Sequence, residues 1–333
     1  MESDHGGGIR RAARTHGIPE ADWLDLSTGI NPRPWPVPTV PAECWQRLPE
    51  PEDGLEARAR EWAGVPAGAG VLPVPGTQAV IQHLPRLRAP GRVGVPRPGY
   101  SEHARCWRRA GHEVVPLAAD EIEHRMDELD VLVWVQPNNP DGRVLDPGVL
   151  ERWRRELARR EGWLVVDEAF ADPVPEYSLA HQAGAPGLVM TRSLGKFFGL
   201  AGLRAGLFLA WPELCRRLAA ELGPWALSHP ARWLMEQALA DSEWQQSTRA
   251  WLHEQAERLD AVLREAGIEP AGGTALFRYC LHPRALQIQQ ALAEQAILVR
   301  AFDDPPALRF GLPADETEME RLARALNSLN GDG

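Results

Sequence analysis

Residues 191–208 read TRSLGKFFGLAGLRAGLF and contain Lys196, the only lysine among the 36 basic residues of this 333-residue chain. Lys196 follows the apolar run GLVM, which is typical of a buried strand, and a glycine-rich segment leads from it to Arg204. A lysine amine can attack a carbonyl to form a Schiff base, whereas an arginine stays protonated and cannot. The stretch therefore indicates carbonyl chemistry at Lys196; the alternative is an ordinary solvated lysine at the surface.

Composition and charge argue against two classes of partner. The formal net charge is -10, whereas a nucleic-acid partner would need a basic face. The first residues lack the apolar segment of a signal peptide, and no apolar run approaches the length that spans a bilayer. We therefore expect a cytoplasmic protein with no nucleic-acid and no membrane partner. The cysteines have no metal-binding spacing, which favours reduced thiols over a metal site; they are Cys44, Cys106, Cys215 and Cys280.

Short apolar segments alternate with helical patterns between residues 55 and 210; three of them are VLPV at 71–74, DVLVWV at 130–135 and WLVV at 163–166. This alternation predicts an α/β fold, with a mostly parallel sheet covered by helices on both faces. After Trp225 come long helical patterns at 228–266, then short strands and helices, which predict a smaller α+β domain. The expected domains are an N-terminal arm over the active site at 1–40, a large domain at 41–225 and a small C-terminal domain at 226–333.

Polar residues follow several of the predicted strands. They are Gly76, Thr77, Gln78, Asn139, Asp167 and Ser193. In open α/β sheets ligands bind outside the carboxyl ends of the strands, so these residues predict one shared site. Asp167 ends an apolar strand, where a carboxylate needs a cation such as the ring nitrogen of a pyridoxal cofactor, or else a helix cap or ion-pair partner. Gly76 precedes a helix whose N–H groups suit a phosphate, although ordinary strand-to-helix turns share this pattern.

The segments SLGKFFGLAGLRAG, PNNPDG and VVDEAF identify a resemblance that covers almost the whole chain. They resemble the fold-type-I pyridoxal phosphate enzymes, the aspartate aminotransferase superfamily. The resemblance implies a large domain with a mostly parallel seven-stranded sheet, a small α+β C-terminal domain and pyridoxal 5'-phosphate as cofactor. Its implied attachment point is Lys196, its ring-nitrogen partner Asp167 and its phenolic-oxygen partner Asn139. The other implied cofactor contacts are Gly76, Thr77, Gln78, Tyr100, Ser193 and Arg204.

The N-terminal segments DHGGGIRRAA and DLSTGINPRPWP further resemble the threonine-phosphate decarboxylases of cobalamin biosynthesis, whose nearest relatives are the histidinol-phosphate aminotransferases. The resemblance implies decarboxylation of L-threonine O-3-phosphate to (R)-1-aminopropan-2-yl phosphate by a homodimer, with the HGG arm folded over the substrate phosphate. Phe170 stands where aminotransferases usually carry tyrosine. The implied substrate-binding residues are His5, Gly6, Gly29, Asn139, Arg300 and Arg309.

Two other functions and three uncertain positions stay open at this stage. The chain could be a pyridoxal phosphate aminotransferase for a phosphorylated amino acid, or a catalytically silent binding module of the same fold. Asp53 in RLPEPEDG occupies the register of a tyrosine that in relatives reaches the partner subunit's cofactor. Gly29 replaces an asparagine of some decarboxylases, so only its backbone could contact a phosphate. Arg300 is either a phosphate ligand or a surface residue.

Overall fold

The computed structural model of the protein describes residues 5–329, which divide into two compact units. The large unit comprises residues 34–139 and 144–246, and the small unit comprises the described residues of 1–33, 140–143 and 247–333. The boundaries of these units differ from those of the expected domains, which are 1–40, 41–225 and 226–333. The expected domains stay a prediction. Within the described range no helix is long and apolar enough to cross a membrane.

The strands are short, and most have five residues. They are β1 Leu24–Asp25, β2 Gly70–Val74, β3 Arg92–Pro96, β4 Glu113–Leu117, β5 Val131–Val135, β6 Trp163–Asp167, β7 Leu188–Ser193, β8 Gly206–Ala210, β9 Gly272–Thr274, β10 Phe277–Leu281, β11 Ile297–Leu298, β12 Arg300–Asp303 and β13 Pro306–Gly311.

The helices follow the same chain order. They are α1 Ile9–His16, α2 Ala42–Gln46, α3 Leu55–Ala63, α4 Thr77–His83, α5 Ser101–Arg109, α6 Ile122–Arg125, α7 Pro147–Ala158, α8 Pro212–Leu222, α9 His229–Ala240, α10 Ser242–Glu265, α11 Ala285–Glu294 and α12 Glu316–Ser328.

The large unit contains a seven-stranded sheet in the order β2-β8-β7-β6-β5-β3-β4. Only β8 runs against the other strands, so the sheet is mostly parallel, as the sequence predicts. Every residue of β5, β6, β7 and β8 is buried, which is typical of strands covered on both faces. The residues after β2, β5, β6 and β7 therefore emerge at one edge of the sheet.

The small unit contains an antiparallel sheet in the order β12-β13-β10-β9 and a short parallel pair, β1 with β11. Alternate side chains of β10 and β13, namely Cys280, Leu308 and Phe310, are fully buried and form one apolar face. The sequence did not predict β1, because two residues are too few for an alternating pattern to be recognised. That strand makes the segment before residue 33 an integral part of the small unit.

A buried ion-pair network joins the carboxyl ends of β6 and β7. Arg192 donates to Glu168 Oε2 at 2.9 Å, to Ser178 Oγ at 3.1 Å and to Asp172, and its guanidinium carbon lies 4.7 Å from the centre of the Trp62 ring. Glu168 is wholly buried and also accepts from the backbone N–H of Leu179 at 2.7 Å. Because Glu168 follows Asp167 and Arg192 precedes Ser193, the network fixes two strand ends that carry predicted site residues.

Replacement of Arg192 by methionine should lower the free energy of unfolding by about 3–5 kcal/mol, because two buried carboxylates lose their cation. Burial already raises the pKa of Glu168, and the positive charge of Arg192 opposes that shift. Without Arg192 the folded state takes up protons more readily, so the deficit should shrink as the pH falls from 7 to 5. Urea unfolding at both pH values measures the effect.

The matched control is Arg216→Met, which breaks an exposed pair with Glu213 and should cost under about 1 kcal/mol. An Arg192→Met protein as stable as this control would show that the network does not hold the strand ends together.

Candidate active site

The carboxylate of Asp167 is almost completely buried at the end of β6, and three groups lie within hydrogen-bond distance of it. Its Oδ1 accepts from the N–H of Ala169 at 3.0 Å and from the hydroxyl of Thr191 at 3.1 Å. Its Oδ2 lies 3.1 Å from Nε2 of His103, which is also buried. Hydrogen bonds from these partners offset the loss of water that burial causes. They hold the carboxylate in place at the sheet edge.

His103 is a site residue that the sequence reasoning missed. It lies in the first turn of α5, three residues after Tyr100, and the two rings pack edge to face at 6.1 Å. The sequence offered one indication of this position: His103 follows Tyr100 by three residues, a spacing that puts two side chains on the same face of a helix. The contact with Asp167, however, joins residues 64 positions apart and depends on the packing of α5 against the sheet.

Lys196 follows β7 and is half-buried. Its Nζ lies 5.4 Å from the centre of the Phe170 ring, so the amine sits beside an aromatic face that carries no hydroxyl. Phe197 and Phe198, directly after the lysine, are fully buried and pack with Trp244 at 5.4 and 5.6 Å. These rings fix the chain on one side of Lys196, and β7 fixes it on the other.

A small cradle forms where β2 and β8 meet the start of α4. Gly76 has a φ of 79°, and a Cβ there would lie 2.9 Å from a terminal nitrogen of Arg204. A Cβ at Gly206 would lie 3.3 Å from the backbone nitrogen of Thr77, and Gly206 pairs directly with Ser193 in the sheet. The fold thus brings Gly76 and Thr77 together with Ser193 and Arg204, although more than a hundred residues separate the first pair from the second. Such a group of N–H, hydroxyl and guanidinium donors suits a phosphate.

Gln78 and Tyr100 lie together beside this cradle. The Tyr100 hydroxyl donates to Oε1 of Gln78 at 3.3 Å, and Nε2 of Gln78 donates to the buried Glu102 at 2.9 Å. Burial and then the charge of Glu102 raise the pKa of Tyr100 to about 12, so its phenol stays protonated. Asn139 follows β5 at the same sheet edge and is half-buried. The large unit therefore brings every predicted cofactor residue to the carboxyl edge of its sheet.

The predicted substrate residues of the small unit meet around Ser27. The backbone oxygen of Ser27 accepts from Arg309 at 2.9 Å, and its hydroxyl accepts from the N–H of Gly7 at 2.8 Å. A Cβ at Gly6 would clash with the Ser27 carbonyl, so the HGG segment can lie against Ser27 only because position 6 has no side chain. Ser27 thus links the N-terminal arm to Arg309, which is only 7% exposed.

A cavity of about 280 Å³ lies beside the arm and contains several basic side chains. Its lining includes His5, Gly6, Arg11, Ser27 and Arg300, the last from β12. In the sheet Arg300 of β12 lies directly opposite Arg309 of β13. Arg11 was not predicted as a site residue, because its position on α1 has no signal beyond the general arginine content. Gly29 is buried in the turn after β1, and its predicted substrate contact remains a prediction.

Asp53 forms an ion pair with Arg232 of its own chain. Both carboxylate oxygens accept from Arg232 at 2.6 Å, and Arg232 also donates to Glu56 at 3.0 Å. Burial pushes the pKa of Asp53 upward, but hydrogen bonds from Arg232 and the Leu55 N–H more than offset this, so the pKa lies below its usual value. Asp53 therefore holds the segment before α3 to α9, which is a different role from that of the tyrosine in relatives.

Comparison with known proteins identifies the family. The family described as Aminotransferase class I and II matches residues 49–326. The chain belongs to this family. A threonine-phosphate decarboxylase of Pseudomonas aeruginosa is 50% identical over 323 residues, which cover 97% of each protein. A histidinol-phosphate aminotransferase of Syntrophotalea carbinolica is 30% identical over 329 residues, covering 93% of this chain and 92% of that protein.

The structural comparison confirms the fold. The crystal structure of the histidinol-phosphate aminotransferase from Clostridium acetobutylicum matches with a TM-score of 0.82 at 20% identity, covering 93% of this chain and 100% of that one. The prediction of a fold-type-I α/β architecture with a mostly parallel seven-stranded sheet is therefore confirmed, and the strands of the predicted C-terminal α+β region form an antiparallel sheet.

Proposed function

We propose that this chain is a pyridoxal 5'-phosphate-dependent decarboxylase that converts L-threonine O-3-phosphate to (R)-1-aminopropan-2-yl phosphate for cobalamin biosynthesis. The observation that carries the proposal is the cavity of the small unit, in which the HGG arm and Arg300 come together. The 50% identity to a threonine-phosphate decarboxylase over 97% of the chain supports it. A cytoplasmic location fits this activity and is part of the proposal.

The large unit has residues that fit the cofactor. The cradle of Gly76, Thr77, Ser193 and Arg204 would hold the cofactor phosphate, since a side chain at Gly76 would collide with Arg204. The carboxylate of Asp167 would pair with the ring nitrogen, and Lys196 would bind the aldehyde carbon. We assign Asn139 to the phenolic oxygen, and Tyr100 and Gln78 to the ring and phosphate surroundings. When bound, pyridoxal phosphate supplies an electron sink for the pair left when the substrate loses carbon dioxide.

The small unit would recognise the two anionic groups of the substrate. Arg309 would bind the carboxylate, and Arg300 with His5 and Gly6 would bind the phosphate. Planar guanidinium groups bind carboxylate and phosphate through paired hydrogen bonds, which fix orientation as well as affinity. In this role Arg309 holds the carbon–carboxylate bond in the orientation required for cleavage. Gly29 is assigned to the same substrate region through its backbone.

Lys196 would supply the proton that completes the reaction. Cleavage of the bond between Cα and the carboxylate releases carbon dioxide and leaves an electron pair at Cα. The Nζ of Lys196, released from the aldehyde carbon when the substrate amine takes its place, would then donate a proton to Cα. The Phe170 ring beside Nζ excludes water from one side of this amine and offers no competing hydroxyl. The reaction as a whole releases one molecule of carbon dioxide from Cα and adds one proton to it.

An aminotransferase acting on a phosphorylated amino acid is the second candidate. The observation in its favour is the 30% identity to a histidinol-phosphate aminotransferase over nearly the whole chain. Both reactions use the same cofactor residues, and they differ in which bond at Cα is cleaved. The identity to the decarboxylase is higher over a similar length, which favours decarboxylation.

The purified protein supplied with pyridoxal phosphate should release carbon dioxide from threonine phosphate and form no 2-oxo acid. Lys196→Arg should abolish turnover, because the guanidinium neither forms the covalent link nor gives up a proton. Borohydride reduction followed by peptide mass analysis should label Lys196 in the native protein and leave the variant unlabelled. Formation of a 2-oxo acid would favour the aminotransferase, and an unlabelled native protein would overturn the cofactor assignment.

Replacement of Arg309 and replacement of Arg300 should impair the turnover of the two substrates in different ways. Arg309→Ala should weaken turnover of threonine phosphate and threonine alike, by roughly 2–5 kcal/mol of transition-state stabilisation, because both carry the carboxylate. Arg300→Ala or His5→Ala should remove the preference for the phosphorylated substrate and leave the slow reaction with threonine nearly unchanged. The measurement is kcat/KM for both substrates.

Arg284→Ala, which removes an exposed arginine of the small unit, is the control and should leave both rates unchanged. If Arg300→Ala kept the full preference for threonine phosphate, Arg300 would be excluded from the phosphate site.

We also propose that the active protein is a homodimer. The large unit exposes several large apolar side chains, which an interface between two subunits would cover. They are Val37, Trp45, Leu48 and Trp225, each more than half exposed. Trp45→Glu should therefore shift the protein toward monomer, as measured by sedimentation velocity. A fully active monomeric native protein would contradict the proposal.

A further inference from the structure

Tyr279 contains a buried hydroxyl that no described residue satisfies. The residue is only 4% exposed, and its hydroxyl oxygen has no hydrogen-bond partner within the described part of the chain. A buried hydroxyl without a partner costs free energy, so native proteins retain one where a ligand or water completes it. None of the residues assigned to the site so far accounts for this hydroxyl.

The sheet register places Tyr279 in one row with two arginines. In the small unit Tyr279 lies directly opposite Arg309 on the neighbouring strand, and Arg309 lies directly opposite Arg300 on the next. Directly opposed residues of antiparallel strands project from the same face and lie close together. The Tyr279 ring packs edge to face on Phe302 at 6.0 Å, and the Arg309 guanidinium lies 5.1 Å from the Phe277 ring centre. One polar row therefore crosses an otherwise aromatic face.

The neighbours in this row cannot accept the proton of the hydroxyl. Arginine has no acceptor, so the phenol cannot donate to Arg309 or Arg300. An anionic oxygen held by Arg309 would be the acceptor that Tyr279 lacks. A bound carboxylate would thus complete the hydrogen bonding of this hydroxyl.

The phenol stays a donor throughout the working pH range. Burial raises the pKa of Tyr279 to about 12, and the carboxylate of Asp141 adds to the shift. Asp141 itself accepts from the N–H of Arg143 at 3.1 Å within the 140–143 turn. The hydroxyl therefore carries its proton at neutral pH and can donate it to a carboxylate.

We propose that Tyr279 is a specificity-determining residue whose hydroxyl donates a hydrogen bond to the substrate carboxylate that Arg309 binds. This inference rests on the proposed function, which assigns that carboxylate to Arg309. The product keeps the phosphate but has no carboxylate. Tyr279 therefore strengthens the binding of the substrate and not that of the product.

The test uses the holoenzyme and Tyr279→Phe, which removes only the hydroxyl. Because a hydrogen bond to a charged group contributes about 1.5–3 kcal/mol, kcat/KM for threonine phosphate should fall by about tenfold or more. The inhibition constant of (R)-1-aminopropan-2-yl phosphate should stay unchanged, since that compound has no carboxylate. Thermal unfolding without substrate should occur at the same or a higher temperature, because the variant loses an unsatisfied buried group. Tyr177→Phe is the control and should change none of these values.

Each other outcome overturns the inference. An unchanged kcat/KM would show that the hydroxyl does not contact the substrate. A parallel loss of product affinity would place the hydroxyl at the phosphate. A lower unfolding temperature would show that the hydroxyl has a structural partner, such as a buried water, in the unliganded protein. A native enzyme that releases no carbon dioxide would overturn the proposed function, and this inference with it.

Discussion

The buried carboxylate of Asp167 imposes the strongest constraint on the large unit. A charge placed at the end of a fully buried strand is costly, and here three elements reduce that cost: α5 through His103, β7 through Thr191, and the backbone at Ala169. Each must keep its position for the others to be satisfied. The Arg192 network lies next to the same strand ends and holds them with a second set of buried charges. Two sets of buried polar contacts therefore hold the sheet edge to which we assign the cofactor.

The small unit leaves a polar group unsatisfied at its own predicted site. Tyr279 lies opposite Arg309 in the sheet, and its buried hydroxyl has no partner among the described residues. An unsatisfied buried group lowers stability, and proteins depart from local consistency in this way where function requires it. A substrate carboxylate bound by Arg309 would supply the acceptor that this hydroxyl lacks. The chemistry proposed for the substrate thus accounts for features that the fold alone does not need.

The sequence predicted the large sheet because the sheet follows from local patterns, and it assigned candidate cofactor residues to one edge of that sheet. Apolar strands alternate with helices, and polar residues at strand ends must meet at one edge, so Gly76, Asp167 and Lys196 could be assigned to a common site. His103, Ser27 and Tyr279 could not be found in this way. Their roles depend on strand register and on contacts between distant segments, such as the 282 positions that separate Ser27 from Arg309. A single sequence contains no pattern for such contacts.

The distribution of positive charge clarifies the role of the lone lysine. Structural cations in this chain bind several partners at once: Arg192 binds Glu168, Ser178 and Asp172, Arg154 binds Glu151 and the Pro186 carbonyl, and Arg232 binds Asp53 and Glu56. The fixed fork of a guanidinium suits these roles better than a single ammonium group does. Arginine therefore serves wherever the fold needs a cation. An amine, unlike a guanidinium, can lose its proton and bond reversibly to a carbonyl, and the chain places the amine of Lys196 beside Phe170, after the strand next to the one that Asp167 ends.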